Sequence, residues 1–110
     1  MISAYWTLGY YERVVKALGG ASQADQVIRL FMVPGMHHCA GGPGPNTFDS
    51  LTALENWVER GVAPERIVAS HLNDQKVVDR TRPLCPHPQV AKYKGTGSID
   101  DAANFVCKAP

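Results

Sequence analysis

The feature that most constrains the fold is a nearly unbroken apolar run, VIRLFMV, from Val27 to Val33. Arg29 is the only polar residue in it. Such a run is typical of a strand that is covered on both faces, as in a parallel sheet. Pro34 and Gly35 should end the strand, because proline and glycine interrupt regular structure.

An amphipathic helix is predicted before this strand. Apolar residues recur at steps of four and three and form one stripe, namely Ala4, Leu8, Tyr11, Val15 and Leu18. Gly19 and Gly20 should end the helix, since glycine tolerates the left-handed conformation that follows helices. A helix followed by a buried strand is the order of elements in an α/β fold.

A second helix is predicted after a glycine-proline run. Asn46 or Thr47 can cap it, and Gly61 and Pro64 should end it. Its buried stripe would consist of Leu51, Leu54, Trp57 and Val58.

The sequence pattern changes beyond Pro64, from helical to strand-like. The segments ERIVASHL and KVVDRTR are separated by the turn-prone pair Asn73-Asp74 and predict a β-hairpin. The remaining tail is rich in proline and glycine and contains Cys85 and Cys107. We therefore expect two parts, with residues 1–64 in an α/β core and residues 65–110 forming a hairpin and a tail.

Composition excludes several classes of function. A formal net charge of +1 without a Lys/Arg cluster argues against a nucleic-acid surface. No apolar run approaches the roughly 18 residues of a membrane helix. Met1 is followed directly by the amphipathic pattern, so we expect no signal peptide at this point of the chain. The 110 residues fit one small domain or a piece of a larger one.

A reactive cluster, His37, His38 and Cys39, follows the predicted strand within VPGMHHCAGGPGP. Ligands and catalytic groups gather at the carboxyl ends of strands in open α/β sheets. Ordinary loop residues remain the default for a single histidine. A zinc site with His71 or His87 is disfavoured, since adjacent histidines seldom share one metal and no C-x-x-C or H-x-x-x-H pair occurs.

Two catalytic interpretations of the cluster also remain open. Cys39 could be a nucleophile with a histidine as base, although side chains adjacent in sequence usually diverge. Alternatively, one histidine could be the general base of a serine hydrolase. In the α/β-hydrolase order the histidine comes last, on a loop after the final core strands, and the position of this cluster agrees.

Several separate motifs resemble the C-terminal end of the tannase and feruloyl esterase family. They are YYERVV, PGMHHC, GGPGPNTFDSLTALENWVERGVAPERIVAS and RTRPLCPHPQVAKYKGTGSIDDAANFVC. The resemblance implies a secreted or periplasmic serine esterase with an α/β-hydrolase core and an inserted lid domain, which often holds a calcium ion. It implies esters of aromatic acids as substrates.

The resemblance also implies roles for individual residues. His38, directly before the cysteine, matches the catalytic histidine, whereas His37 matches a variable position. Cys39 matches a cysteine that is bonded to one next to the nucleophilic serine. Cys85 and Cys107 match a pair that is bonded to each other in the tail.

Other parts of the family pattern have no counterpart here. No serine of the chain lies next to a cysteine or in a nucleophile elbow. The family aspartate precedes the segment that matches Ile2 and Ser3, and the lid is absent as well. We therefore expect a C-terminal fragment that is inactive by itself, has no metal or other cofactor of its own, and has no nucleic-acid or membrane partner. The alternative is a non-catalytic domain that associates with itself through an exposed sheet edge or Cys39.

Overall fold

The computed structural model describes residues 3–110. The chain divides into two compact units, residues 1–30 and 31–110, which are described here one at a time. The predicted division between residues 64 and 65 concerns the hydrolase core and its tail, and it stays a prediction.

The first unit is helical. Helix α1 (Ala4–Ala17) begins at Ser3, whose hydroxyl accepts a hydrogen bond from the Tyr5 amide at 3.3 Å. It ends before Gly19, which has a φ of +94°, so the predicted helix and its glycine stop are confirmed. A single-turn helix, α2 (Ala21–Ala24), follows. The side chains of Tyr11 and Ala24 are buried in this unit, and burial raises the pKa of the Tyr11 hydroxyl.

The predicted strand from Val27 to Val33 is not formed. Residues 28–33 lie outside any helix or strand, and Phe31 alone makes an isolated antiparallel bridge, to Pro86. A strand forms where a neighbouring strand pairs with its backbone N–H and C=O groups. Residues 3–110 contain two antiparallel pairs of strands, and neither runs alongside this segment.

Helix α3 (Ser50–Arg60) begins later than predicted. Asp49 caps it, and not Asn46 or Thr47. The carboxylate of Asp49 accepts hydrogen bonds from the amide of Thr52 at 2.9 Å and from its hydroxyl at 2.7 Å. Gly61 ends the helix with a φ of +68°, as predicted. The predicted apolar stripe exists, but it is not buried: Trp57 is half-buried, and Leu51, Leu54 and Val58 are exposed.

The predicted hairpin is confirmed. Strands β1 (Ile67–Leu72) and β2 (Val78–Leu84) pair antiparallel, with Ile67 opposite Leu84 and His71 opposite Arg80. The side-chain oxygen of Asn73 accepts hydrogen bonds from two amides of the connecting turn, those of Gln75 and Val77, both at 3.0 Å.

The tail is more regular than its composition suggests. Strands β3 (Val90–Tyr93) and β4 (Phe105–Lys108) form a second antiparallel pair, and a short 3₁₀ helix (Ala102–Asn104) precedes β4. A disulfide joins Cys85, just after β2, to Cys107 in β4, with their Cα atoms 5.5 Å apart. This confirms the predicted pair and links the two hairpins covalently.

Aromatic and polar contacts join the tail to β2. The Arg82 guanidinium lies 4.1 Å from the centre of the buried Phe105 ring. The amide of Thr81 donates to the carbonyl of Asp100 at 2.8 Å, and the Thr81 hydroxyl accepts from the amide of Ala102 at the same distance. No helix within residues 3–110 is long and apolar enough to cross a membrane.

Candidate active site

The histidine loop, residues 34–46, connects the VIRLFMV segment to α3. Two backbone hydrogen bonds close the loop on itself, from the His37 amide to the Gly41 carbonyl and from the Gly44 amide to the Gly35 carbonyl, each 3.0 Å long. Gly42 has a φ of +104°, and a Cβ there would overlap the carbonyl oxygen of Gly35. The glycine-proline run therefore gives the loop a tight, defined backbone shape.

The hairpin anchors the end of this loop. The amides of Asn46 and Thr47 both donate to the carbonyl of Ser70 at 3.0 Å, and the amide of Ser70 donates to the carbonyl of Thr47 at 2.8 Å. The Asn46 side chain also donates to the Gly44 carbonyl at 2.8 Å. Ser70 lies in the middle of β1, so the hairpin holds the end of the histidine loop.

His38 and Cys39 occupy the tip of the loop. His37, His38 and Cys39 are all exposed. The Nδ1 atom of His38 lies 3.0 Å from the Cys39 sulfur, and Cys39 is a free thiol. The expectation that these adjacent side chains diverge is therefore wrong.

The backbone at Cys39 has an unusual conformation. Its φ is +68°, a left-handed conformation that residues with a Cβ seldom adopt. Backbone conformations of this kind persist only where the surrounding structure fixes them, and they are frequent at functional sites. The loop presents an imidazole and a sulfur atom together to solvent.

A second imidazole is paired with a carboxylate on the hairpin. The register of the two strands shifts between His71 and Leu72, and Asp79 is the extra residue at this bulge. The Nδ1 atom of His71 lies 2.6 Å from Oδ1 of Asp79, and this hydrogen bond lowers the pKa of the Asp79 carboxyl. Sequence reasoning considered His71 only for zinc and missed Asp79, because a bulge leaves no clear signal in the sequence.

Potential metal ligands are dispersed in the described part of the chain. Among residues 3–110 no three His, Cys, Asp or Glu side chains are grouped so as to hold a metal ion.

A cavity of about 420 Å³ adjoins the base of the histidine loop. Pro34 and Pro45, at the two ends of the loop, contribute to its wall, as do Leu84 and the disulfide residue Cys85. The segment between Cys85 and β3, which includes His87, and the first two residues of β3 also line the cavity. The disulfide-bonded tail thus shares a cavity wall with the loop that carries His38.

Comparison with known proteins shows the family of the chain. A family model described as tannase and feruloyl esterase matches residues 1–108. The chain belongs to the tannase and feruloyl esterase family. It is 54% identical over 110 residues to the mono(2-hydroxyethyl) terephthalate hydrolase of Piscinibacter sakaiensis, an alignment that covers 98% of this chain and 18% of the hydrolase.

Two further relatives are named as feruloyl esterases. A probable feruloyl esterase of Arthroderma benhamiae is 36% identical over 110 residues, which is 97% of this chain and 20% of that protein. The crystal structure of feruloyl esterase B from Aspergillus oryzae matches 97% of this chain and 24% of its own, with a TM-score of 0.87 at 30% identity. All three relatives are named as ester hydrolases. The chain spans about a fifth of the length of the curated relatives.

Proposed function

We propose that this chain is the histidine-bearing segment of a serine carboxylesterase that hydrolyses esters of aromatic acids. The observation that carries the proposal is the geometry of the histidine loop. The exposed imidazole of His38 lies at the tip of a loop whose backbone turns at glycines. Hydrogen bonds to Ser70 of β1 hold the end of this loop, and the chain belongs to the tannase and feruloyl esterase family.

His38 is the residue to which we assign the general base. It matches the family's catalytic position, and it directly precedes the left-handed Cys39. A general base must be held within hydrogen-bond reach of the proton that it removes, and a displacement of about 1 Å can cost on the order of a hundredfold in rate. The bonds that close the loop and tie it to Ser70 supply that rigidity.

The proposed reaction follows the serine hydrolase scheme. His38 removes the proton from a serine hydroxyl as its oxygen attacks the ester carbonyl, and then returns this proton to the departing alcohol. In the second half of the reaction His38 removes a proton from water, which attacks the acyl-enzyme and releases the acid. A carboxylate orients the imidazole through its other nitrogen.

The serine and the carboxylate would come from the rest of the esterase. The relatives are about four to six times as long as the part that this chain matches. No serine of the present chain lies beside a cysteine, as the family nucleophile does. We therefore propose that the 110 residues correspond to a C-terminal segment of the α/β-hydrolase core with its tail, and that they do not hydrolyse esters alone.

The substrate class is inferred from what the relatives are named for. One is a hydrolase of a terephthalate monoester and two are named feruloyl esterases. Terephthalate and ferulate are both carboxylates that carry an aromatic ring. We accordingly propose esters of aromatic acids, without choosing among the acids, since the lid domain that would select them is not in this chain.

The cysteines support an oxidising compartment. Disulfides such as Cys85–Cys107 persist in secreted and periplasmic proteins and are rare in the cytosol. Cys39 is exposed and free, as expected for a cysteine whose partner lies next to the nucleophilic serine elsewhere in the esterase. Secretion or export to the periplasm is therefore part of the proposal.

Substitution of the two adjacent histidines in an esterase that contains this segment tests the proposal. His38→Ala should lower kcat for ferulate and terephthalate esters by several orders of magnitude, as loss of a triad member does. His37→Ala is the matched control and should retain most of the activity. Equal losses, or a larger loss for His37→Ala, would overturn the assignment.

The close approach of sulfur and imidazole favours one rival, a Cys39 nucleophile with His38 as its base. Cys39→Ala separates the two mechanisms. A thiol nucleophile predicts no acyl-enzyme in that variant and inhibition of the parent by iodoacetamide. The serine mechanism predicts a weakened enzyme that still reacts with a serine-directed phosphonate.

A further inference from the structure

Asn46 has a side-chain contact that the proposed reaction has not yet used. Among the described residues of the histidine loop, 34–46, its side chain is the one that hydrogen-bonds to the backbone of the loop. The Nδ2 atom of the half-buried Asn46 donates to the carbonyl of Gly44 at 2.8 Å. Because Asp49 caps α3, the predicted capping role of Asn46 does not account for this contact.

The hydrogen bond from Asn46 holds a residue that joins the two limbs of the loop. The amide of Gly44 donates to the carbonyl of Gly35 at 3.0 Å, while the carbonyl of Gly44 accepts from Asn46. A Cβ on Gly44 would overlap the carbonyl oxygen of Pro34, so the backbones of the two limbs are in direct contact there. Asn46 therefore fixes the orientation of residue 44, on which the pairing of the limbs depends.

The first of these limbs leads directly to His38, three residues after Gly35. The hydrogen bond from the His37 amide to the Gly41 carbonyl closes the tip. Within the described residues, the His38 imidazole is hydrogen-bonded only to the sulfur of the neighbouring Cys39. The backbone of the loop, and not a contact of the ring with another element, thus determines where the imidazole lies.

We propose that Asn46 is a positioning residue for His38, and that its side-chain amide holds the loop in the conformation in which His38 acts as a base. This proposal rests on the function proposed above. The contact requires a hydrogen-bond donor, because a carbonyl oxygen only accepts. An aspartate has the size of asparagine, but its carboxylate cannot donate, so Asn46→Asp removes this hydrogen bond with little change in volume.

The first experiment measures the order of the loop in the 110-residue chain and does not depend on activity. In the parent, ¹⁵N relaxation should give the amides of His38 and Cys39 order parameters near 0.85, roughly the value of rigid backbone. Asn46→Asp should lower them to below about 0.6, the range of flexible backbone. Unchanged order parameters would overturn the proposal, and so would a parent loop that is already flexible.

The tail offers a matched control for this substitution. Asn104 is also half-buried, and its Nδ2 atom donates to the backbone carbonyl of Ser98 at 2.9 Å. Asn104→Asp therefore removes a hydrogen bond of the same kind and adds the same charge. It should leave the order parameters of His38 at the parent value. A similar loss of order at His38 in both variants would overturn the proposal, because the effect would then not be specific to Asn46.

Asn46→Ala separates the hydrogen bond from the added charge. It removes the same donor without introducing a carboxylate, and it should lower the order parameters of His38 and Cys39 as Asn46→Asp does. If only Asn46→Asp loosens the loop, the negative charge is responsible and the proposed role of the hydrogen bond is wrong.

The second experiment measures the reaction. The 110 residues replace the matched segment of the Piscinibacter sakaiensis hydrolase, and mono(2-hydroxyethyl) terephthalate is the substrate. Asn46→Ala should lower kcat roughly tenfold, less than the hundredfold or so for a 1 Å displacement of a catalytic group, because the backbone hydrogen bonds of the loop remain. KM should stay within about twofold of the parent, since Asn46 is proposed to act on the base and not on substrate binding. A raised KM with unchanged kcat, or an equal loss of kcat in Asn104→Asp, would overturn the proposal.

The positioning role and the proposed function can fail separately in this design. Full activity of His38→Ala would contradict the function proposed for His38, while the relaxation measurements would still show whether Asn46 orders the loop. If His38→Ala is inactive and Asn46→Ala has the kcat of the parent, the general base stands and the positioning role of Asn46 is wrong.

Discussion

The hairpin-and-tail region, residues 67–108, and helix α3 with the histidine loop differ in how much they bury. Of the seven hydrophobic residues buried within residues 3–110, five lie in the hairpin-and-tail region: Ala69, Leu84, Cys85, Ala102 and Phe105. Helix α3 has no buried residue. One region has a small core and a disulfide of its own, whereas the other exposes the apolar stripe that should be its core.

The two regions are stabilised in different ways. The hairpin-and-tail region uses strand pairing, a covalent bond and aromatic contacts that are all local to it. The histidine loop has a defined backbone, but the helix that follows it has an uncovered face. We infer that the tail is a self-supporting anchor and that the catalytic loop depends on the rest of an esterase for its final environment.

The largest expected effect comes from truncating the core of the tail. Phe105 is 8% exposed and contacts Arg82 and Tyr93. Phe105→Ala should lower the free energy of unfolding of the hairpin-and-tail region by about 3–5 kcal/mol, through lost burial and a cavity. Leu54→Ala should change stability little in the isolated chain, because Leu54 is exposed. Amide hydrogen exchange of residues 67–108 measures both. Similar losses for the two variants would refute the contrast between the regions.

The disulfide gives the next largest effect. Cys85 and Cys107 are 22 residues apart, and closing a loop of that length should stabilise the folded chain by about 3 kcal/mol in the chain-entropy estimate. Replacing both cysteines by alanine should therefore destabilise the hairpin-and-tail region, with little change in hydrogen exchange within α3. Peptide mapping without reductant should return the Cys85–Cys107 linkage and an alkylatable Cys39. A monomer in which Cys39 is joined to either of the other two would contradict the structure.

A smaller effect is expected at the start of α3. Asp49→Ala removes two hydrogen bonds to Thr52, and a helix of 11 residues is marginal without such contacts. We expect faster amide exchange in the first turn of α3 and a partial loss of helical circular dichroism. Asp49→Asn, which can still cap a helix, should retain most of the signal. If Asp49→Ala leaves both signals unchanged, the capping carboxylate does not determine where α3 begins.

Elements that depend on residues close together in the sequence were predicted. Pairings between distant segments were missed. Helix α1, its glycine stop and the hairpin around Asn73-Asp74 follow from periodicity and turn chemistry that lie within a few residues. The strand predicted at Val27–Val33 requires neighbouring strands to exist, which periodicity cannot supply. The pairing of β3 with β4 joins residues on either side of the segment 94–104, so local spacing alone did not indicate it.

The candidate site shows the same division. His38 and Cys39 stand out in the sequence because three reactive side chains are adjacent after an apolar run. Cys39 has a left-handed backbone, which its residue type did not indicate, since it is not a glycine. The anchoring of the loop by Ser70 is a backbone contact between residues more than 20 positions apart, and its side chain gives no hint of it.

The smallest expected effect concerns acid and the His71–Asp79 pair. The hydrogen bond from His71 lowers the pKa of the Asp79 carboxyl below its ordinary value of 3.8. A carboxyl whose pKa is lower in the folded state than in the unfolded state stabilises the fold above the ordinary pKa, and this stabilisation is lost as the pH falls through the lower, folded value. The melting temperature of the parent should therefore fall more between pH 5 and pH 2 than that of Asp79→Asn.

The control for this prediction is Asp74→Asn in the turn of the same hairpin, which should retain the acid sensitivity of the parent. Both variants remove one carboxyl, so the change in net charge is matched. Because Asp79 is exposed at its bulge, solvent screens the pair and the difference should be modest. If Asp79→Asn loses as much stability in acid as the parent, the pair does not stabilise the bulge. In that case the strand pairing around Ser70 positions the histidine loop without help from His71.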